Sequence, residues 1–146
     1  MGDLYDTRGQ AERGRMAFWL ETVCAQILPV RIDPRHDSVP RAALASNRLG
    51  ALQMRRVVGG DHVYARGERE LRQGDPDTLQ IGMPRGGGSI LVQDGREAVL
   101  KPGDMVVYDT CSTTRALRQR PAVHARHGGA LQLAGLPPSQ GHAPQV

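Results

Sequence analysis

Gln93-Asp94-Gly95-Arg96-Glu97-Ala98-Val99-Leu100-Lys101-Pro102-Gly103-Asp104-Met105-Val106-Val107-Tyr108-Asp109-Thr110 is the stretch from which the fold is read. Its apolar runs, Ala98-Val99-Leu100 and Met105-Val106-Val107-Tyr108, are short. They are rich in β-branched and aromatic residues, which suit a pleated, half-buried surface. Asp94-Gly95 marks a hairpin turn, because a type I′ turn needs positive φ and Gly accepts it without a Cβ clash. Pro102-Gly103 marks a second turn, with Pro presetting φ and Gly supplying the left-handed position. The stretch therefore predicts strand, tight turn, strand, turn, strand. Asp94, Gly95, Pro102, Gly103 and Asp104 are its turn makers. The carboxylates of Asp94, Asp104 and Asp109 are expected to accept backbone N–H bonds there.

Upstream, the same rhythm of short strands and turn signals continues. Ser89 to Gln93 is a strand, preceded by the flexible turn Arg85-Gly86-Gly87-Gly88. Thr78 to Pro84 alternates, with Leu79, Ile81 and Met83 on one face and Gln80 and Gly82 on the other. Gly67 to Asp77 is charged and Gly/Pro-containing, and reads as an exposed loop. His62 to Arg66 is a strand, and Ala42–Ser46 and Ala51–Val58 form a hairpin around a turn region at Asn47-Arg48-Leu49-Gly50. Pro34 to Pro40 is a loop and Val30 to Asp33 a short strand. A helix is expected from Ala11 or Met16 to Ile27, with Phe18, Trp19, Val23 and Ile27 near helical spacing. Pro29 ends it, because a proline disfavours helix in the residue ahead of it. Closely spaced short strands predict a mainly β jelly-roll or cupin-like barrel with one N-terminal helix packed on it through Phe18 and Trp19. Residues 1–16 read as a flexible arm and 17–110 as the barrel domain.

Downstream the character changes at Cys111. Residues 111–146 hold four of the ten prolines and no acidic residue, and read as a low-order tail. This tail also accounts for the net charge of +4, since residues 1–110 balance at fifteen basic against fifteen acidic side chains. Four Arg spread along such a tail are no basic face on a folded element, so direct DNA binding by this chain is not expected. No apolar run is long enough to span a membrane. The acidic start Met1 to Asp6 has no signal-peptide pattern, and Cys24 and Cys111 are expected to be free thiols of a cytoplasmic protein. Eighteen Arg against one Lys is the bias of a high-GC bacterial genome.

Glycine, several residues, then Pro-Gly-Asp is how cupin-type barrels turn between strands, and Gly95 to Pro102-Gly103-Asp104 has that form. Combined with Phe18-Trp19, Val23-Cys24, Leu49-Gly50-Ala51-Leu52 and Val107-Tyr108-Asp109-Thr110, the stretch resembles the N-terminal, AraC-binding-like domain of AraC-family transcription regulators. The resemblance covers about Ala17 to Thr110. It implies a domain that senses a small-molecule effector or forms a homodimer, with DNA bound by a separate domain of two helix-turn-helix units. After Thr110 the family pattern is expected to stop. A one-nucleotide shift across permitted codons for residues 119–130 yields a strand-like peptide, so the tail is expected to be out of frame and the regulator truncated before its DNA-binding half.

The residues themselves show no catalytic set. His36, His62, His124, His127 and His142 include no His-x-His, so neither a metal nor another cofactor is expected. Cys24 reads as a small buried hydrophobe. Gly86-Gly87-Gly88-Ser89 lacks the context of a nucleophile elbow and the Lys-Ser/Thr of a phosphate loop. For ligand binding, Arg55, Arg56, Tyr64, Gln80 and Gln93 are the strand residues available to line a barrel interior, although alternation alone does not identify the lumen. The leading expectation is thus a sensing and dimerisation domain rather than an enzyme. A small cupin-like enzyme or binding protein and a non-functional frameshifted fragment are the alternatives.

Overall fold

The computed structural model describes residues 2–34, 41–59, 62–74, 77–112, 114–120 and 129–136. The order is β1 (Asp3–Asp6), a 3-10 turn (Thr7–Gly9), α1 (Glu12–Gln26), β2 (Arg31–Pro34), β3 (Ala43–Leu49), β4 (Leu52–Val58), β5 (His62–Arg66), α2 (Glu68–Gln73), β6 (Leu79–Pro84), β7 (Gly88–Gln93), β8 (Arg96–Leu100), β9 (Val106–Asp109), β10 (Thr114–Arg120) and β11 (Gly129–Leu136). The strands form two sheets, ordered β1-β3-β4-β11-β6-β9 and β2-β5-β10-β7-β8. Every pair is antiparallel. The chain crosses repeatedly between the sheets, as in a jelly roll, and the fold is mainly β and cupin-like without the two sheets closing into one barrel.

The turns in the opening stretch follow from its residues. Asp94 and Gly95 both hold positive φ, 51° and 75°, and join β7 to β8 in register Gln93↔Arg96. Gly103 holds φ 95°, and Asp104 closes that turn from both directions. Its N–H donates to the Lys101 carbonyl at 3.0 Å, while its carboxylate accepts from the Lys101 N–H at 2.7 Å. The upstream hairpin is tighter than expected, since β3 runs on to Leu49 and the turn falls at Gly50-Ala51.

Four expectations are corrected. Residues 3–9 are no loose arm: β1 pairs with β3, and the Thr7 N–H and hydroxyl exchange bonds of 2.9 and 2.8 Å with the Ala42 backbone. The segment expected as a loop between Gly67 and Asp77 contains α2, whose N-terminus is closed by the Glu70 carboxylate accepting from the Gly67 N–H at 2.9 Å. The tail after Thr110 is not low-order throughout, because β10 lies between β5 and β7 and β11 between β4 and β6. These strands take interior positions, one in each sheet, so neither sheet is completed before Thr110. Finally, α1 packs chiefly through Trp19, Thr22 and Val23, with Phe18 only half-buried.

The apolar core sits where α1 meets the sheets. Trp19, Val23, Ile32, Ala42, Leu44 and Val57 form one buried cluster, with Tyr5, Met16, Ile27, Val30 and Tyr64 packed against it. A second organising residue is polar. Arg66, 2% exposed, donates to the carbonyl oxygens of Pro29, Glu70, Gly74 and Thr110. It thereby ties the exit of α1, the middle and C-cap of α2 and the exit of β9 to β5.

Candidate functional site

The inward face of the first sheet is identified by strand alternation. On β4, Arg55 and Val57 are buried while Arg56 between them is exposed; on β3, Leu44 and Ser46 are buried. Register places Ser46 opposite Arg55 and Leu44 opposite Val57, so all four share one face. On β6 the inward residue is Gln80, and it lies opposite Tyr108 of β9. The face expected to be polar on β6 is therefore the buried one. Gly82, two residues on, keeps that face bare beside the Tyr108 ring, 3.5 Å from where a Cβ would sit.

A polar cluster results, next to the apolar core. Ser46, Arg55, Gln80 and Tyr108 are each at least nine-tenths buried. The Tyr108 hydroxyl donates to Gln80 Oε1 at 2.8 Å, and Gln53 Nε2 donates to Ser46 Oγ at 2.9 Å. Arg55 Nε and Nη1 and Gln80 Nε2 have no hydrogen-bond partner among the described residues. Burial lowers the Arg55 pKa from its ordinary 12.5, opposed by the Tyr108 oxygen. Burial raises that of Tyr108, opposed by the Arg55 charge. Buried donors without a partner are costly and uncommon.

The other residues singled out from the sequence lie elsewhere. Tyr64 belongs to the core; its hydroxyl accepts from the Trp19 indole N–H at 3.2 Å, its ring stacks on His62, and burial pushes its pKa up to about 12. Gln93 is half-buried and its amide donates to the Asp109 carbonyl at 2.9 Å, bridging β7 to β9 across the gap between the sheets. Arg56 points outward. Asp94, Gly95, Pro102, Gly103 and Asp104 are turn residues on the surface. Beside Gln93 a cleft of about 630 Å³ opens between β7–β8 and β9, reaching the inward side chains Leu91 and Val106. Tyr108 and Ser46 were missed from the sequence; the signal for Tyr108 was its alternation with Val106 on β9.

Among the described residues no group of three His, Cys, Asp or Glu side chains could hold a metal ion. His36, His124, His127 and His142 lie outside the described residues. Cys24 and Cys111 are free thiols; Cys24 is half-buried and donates to the Val30 carbonyl, and Cys111 is exposed and donates to Asp77. No helix among the described residues is long and apolar enough to cross a membrane.

The sequence matches the family model of the AraC-binding-like domain over residues 19–128. The chain belongs to this family. The match continues past Thr110, where the family pattern was expected to stop, and takes in β10. The domain superposes on the crystal structure of the AraC-like transcriptional activator CuxR with a TM-score of 0.75 at 20% identity, over 92% of this chain and 46% of that one. A curated relative, an uncharacterized protein in the nit 5′ region of Bacillus sp. (strain OxB-1), is 22% identical over 75% of this chain and 43% of its own length. A cupin superfamily protein from Desulfitobacterium hafniense aligns at a TM-score of 0.48 and 11% identity, over 71% and 83% of the two chains. This AraC-binding-like domain thus spans about half the length of the regulator and of the curated relative it matches.

Proposed function

We propose that this domain is the effector-sensing part of an AraC-type transcription regulator, binding a small molecule between its two sheets without turning it over. The observation that carries the reading is the buried pair Arg55 and Gln80, whose unmatched Nε, Nη1 and Nε2 donors lie on the inward face of the first sheet beside Tyr108. In this reading operator contact belongs to a separate helix-turn-helix domain, and residues 1–146 do not bind an operator alone. Homodimerisation is the second role in this reading, and the exposure of Val99, Met105 and Val107, at least 60% each on and beside the edge strands β8 and β9, supports it. The protein works in the cytoplasm, where its ligand and its operator meet.

The test is a thermal-shift screen of the purified protein against metabolites, with hits mapped by hydrogen exchange. Protection should rise in peptides covering β4, β6 and β9, with the ligand recovered unchanged. Protection confined to the outward face around Arg41 and Arg56, or chemical conversion of the ligand, would overturn the reading.

A further inference from the structure

From the donor and charge count at the inward cluster, we infer that the ligand is a small organic monocarboxylate whose anionic head rests on Arg55 and Gln80. This rests on the effector-sensing reading above and names the ligand class for the same site. A guanidinium has donors and no acceptor, and here Nε and Nη1 are unmatched. Gln80 could supply an acceptor, but its Oε1 already receives the Tyr108 hydroxyl, leaving its Nε2 as another donor. Every unmatched group named is thus a donor, and the complement must accept hydrogen bonds.

Charge narrows the class. Arg55 is 7% exposed, and the one acidic residue among the described buried side chains is Glu70, engaged by Gly67 at the start of α2. A buried cation without a counter-charge is strongly unfavourable, and one anion relieves it. Arg66, the other buried Arg among the described residues, is committed to carbonyls. One free positive charge matches one negative charge, so a carboxylate fits and a phosphate dianion does not. The neighbours along and across the strands, Val57 and Leu44, are buried hydrocarbons of the core and supply no counter-charge to Arg55.

Butyrate, butyramide and inorganic phosphate are suitable probes, added at constant ionic strength to the full chain and followed by thermal unfolding. Butyrate should raise the melting temperature of the wild type saturably, and butyramide and phosphate should not. Arg55→Met should melt above the wild type in chloride alone, having lost an uncompensated buried charge, and should bind butyrate at least about tenfold more weakly. If Arg55→Met fails to fold, Gln80→Leu makes the same affinity comparison. An equal butyrate response in wild type and variant overturns the assignment. Equal stabilisation by butyramide and butyrate, lost in Gln80→Leu, sinks the carboxylate but keeps the interior site. A wild type that answers none of the probes, with Arg55→Met melting lower, makes Arg55 a structural residue and removes both readings.

Discussion

Replacing Arg66 by Ala should destabilise the domain more than any exposed Arg replacement. Its guanidinium donates to Thr110 O at 3.1 Å, Pro29 O at 2.7 Å, Glu70 O at 3.2 Å and Gly74 O at 2.8 Å. A hydrogen bond from a charged donor contributes roughly 1.5–3 kcal/mol, but the bonds share one side chain and do not add. Removing the cation also relieves its own desolvation. Some of the carbonyls regain water, because Pro29 is half-buried and Gly74 exposed. The net loss should be about 3 kcal/mol, which for a domain of this size lowers the melting temperature by roughly 10 °C. Arg66→Lys should recover less than half of this, because an ammonium cannot reach carbonyls set around a planar fork. Denaturant unfolding followed by circular dichroism measures the free energies, with Arg56→Ala as an exposed control expected within about 0.5 kcal/mol of wild type. Hydrogen exchange should show α2 losing protection first. A loss for Arg66→Ala below about 1 kcal/mol, or full rescue by Lys, would refute the account of Arg66 as a four-point anchor.

Further outcomes follow from the same structure. Trp19→Phe removes the indole donor to Tyr64 and part of the largest core side chain, and should cost about 2 kcal/mol in denaturant unfolding. Gly95→Ala forces a side chain into φ 75° at the β7–β8 turn and should cost about 1 kcal/mol by the same measurement, although space there is open. At alkaline pH, Tyr64 is neutral in the folded state up to about 12 and ionises near 10 when unfolded, so the folded state holds the extra proton. Its stabilisation is complete below pH 10 and is lost between 10 and 12, and Tyr108, also raised, adds to the effect. Phenolate absorbance from these two tyrosines should therefore appear together with loss of the near-ultraviolet dichroism, not before it. At acid pH, the Glu70 carboxyl, held below its ordinary 4.5 by the Gly67 N–H, stabilises the start of α2 above that value. It should release α2 as pH falls through its folded pKa, seen as earlier exchange in residues 68–73.

What could be read from the chain was what local chemistry decides. The Asp94-Gly95 and Pro102-Gly103 turns are fixed by backbone conformations that few residues tolerate, and the structure carries both. The helix through Trp19 and its end before Pro29 are equally local. The strands at 3–6, 114–120 and 129–136 were not legible, because their membership is decided by distant partners: β3 for the first, β5 and β7 for the second, β4 and β6 for the third. Composition misled most at the tail, where Pro and Gly frame two segments that nonetheless pair at the centre of the sheets. Arg55 and Gln80 were visible as strand polar residues. Their face was not, because period 2 yields two faces without saying which is covered. Tyr108 reads from the sequence as an ordinary strand residue, and only register brings it opposite Gln80.

The central claim is that Arg55 receives an anionic ligand between the sheets. The most direct measurement is the Arg55 Nε–H resonance of the ¹⁵N-labelled protein, assigned with Arg55→Met and followed while butyrate is added. The account predicts a saturable downfield shift of that signal, accompanied by changes in the amides of Gln80, Gly82 and Tyr108. An unmoved Arg55 signal, with shifts confined to outward residues such as Arg41 and Arg56, would contradict it.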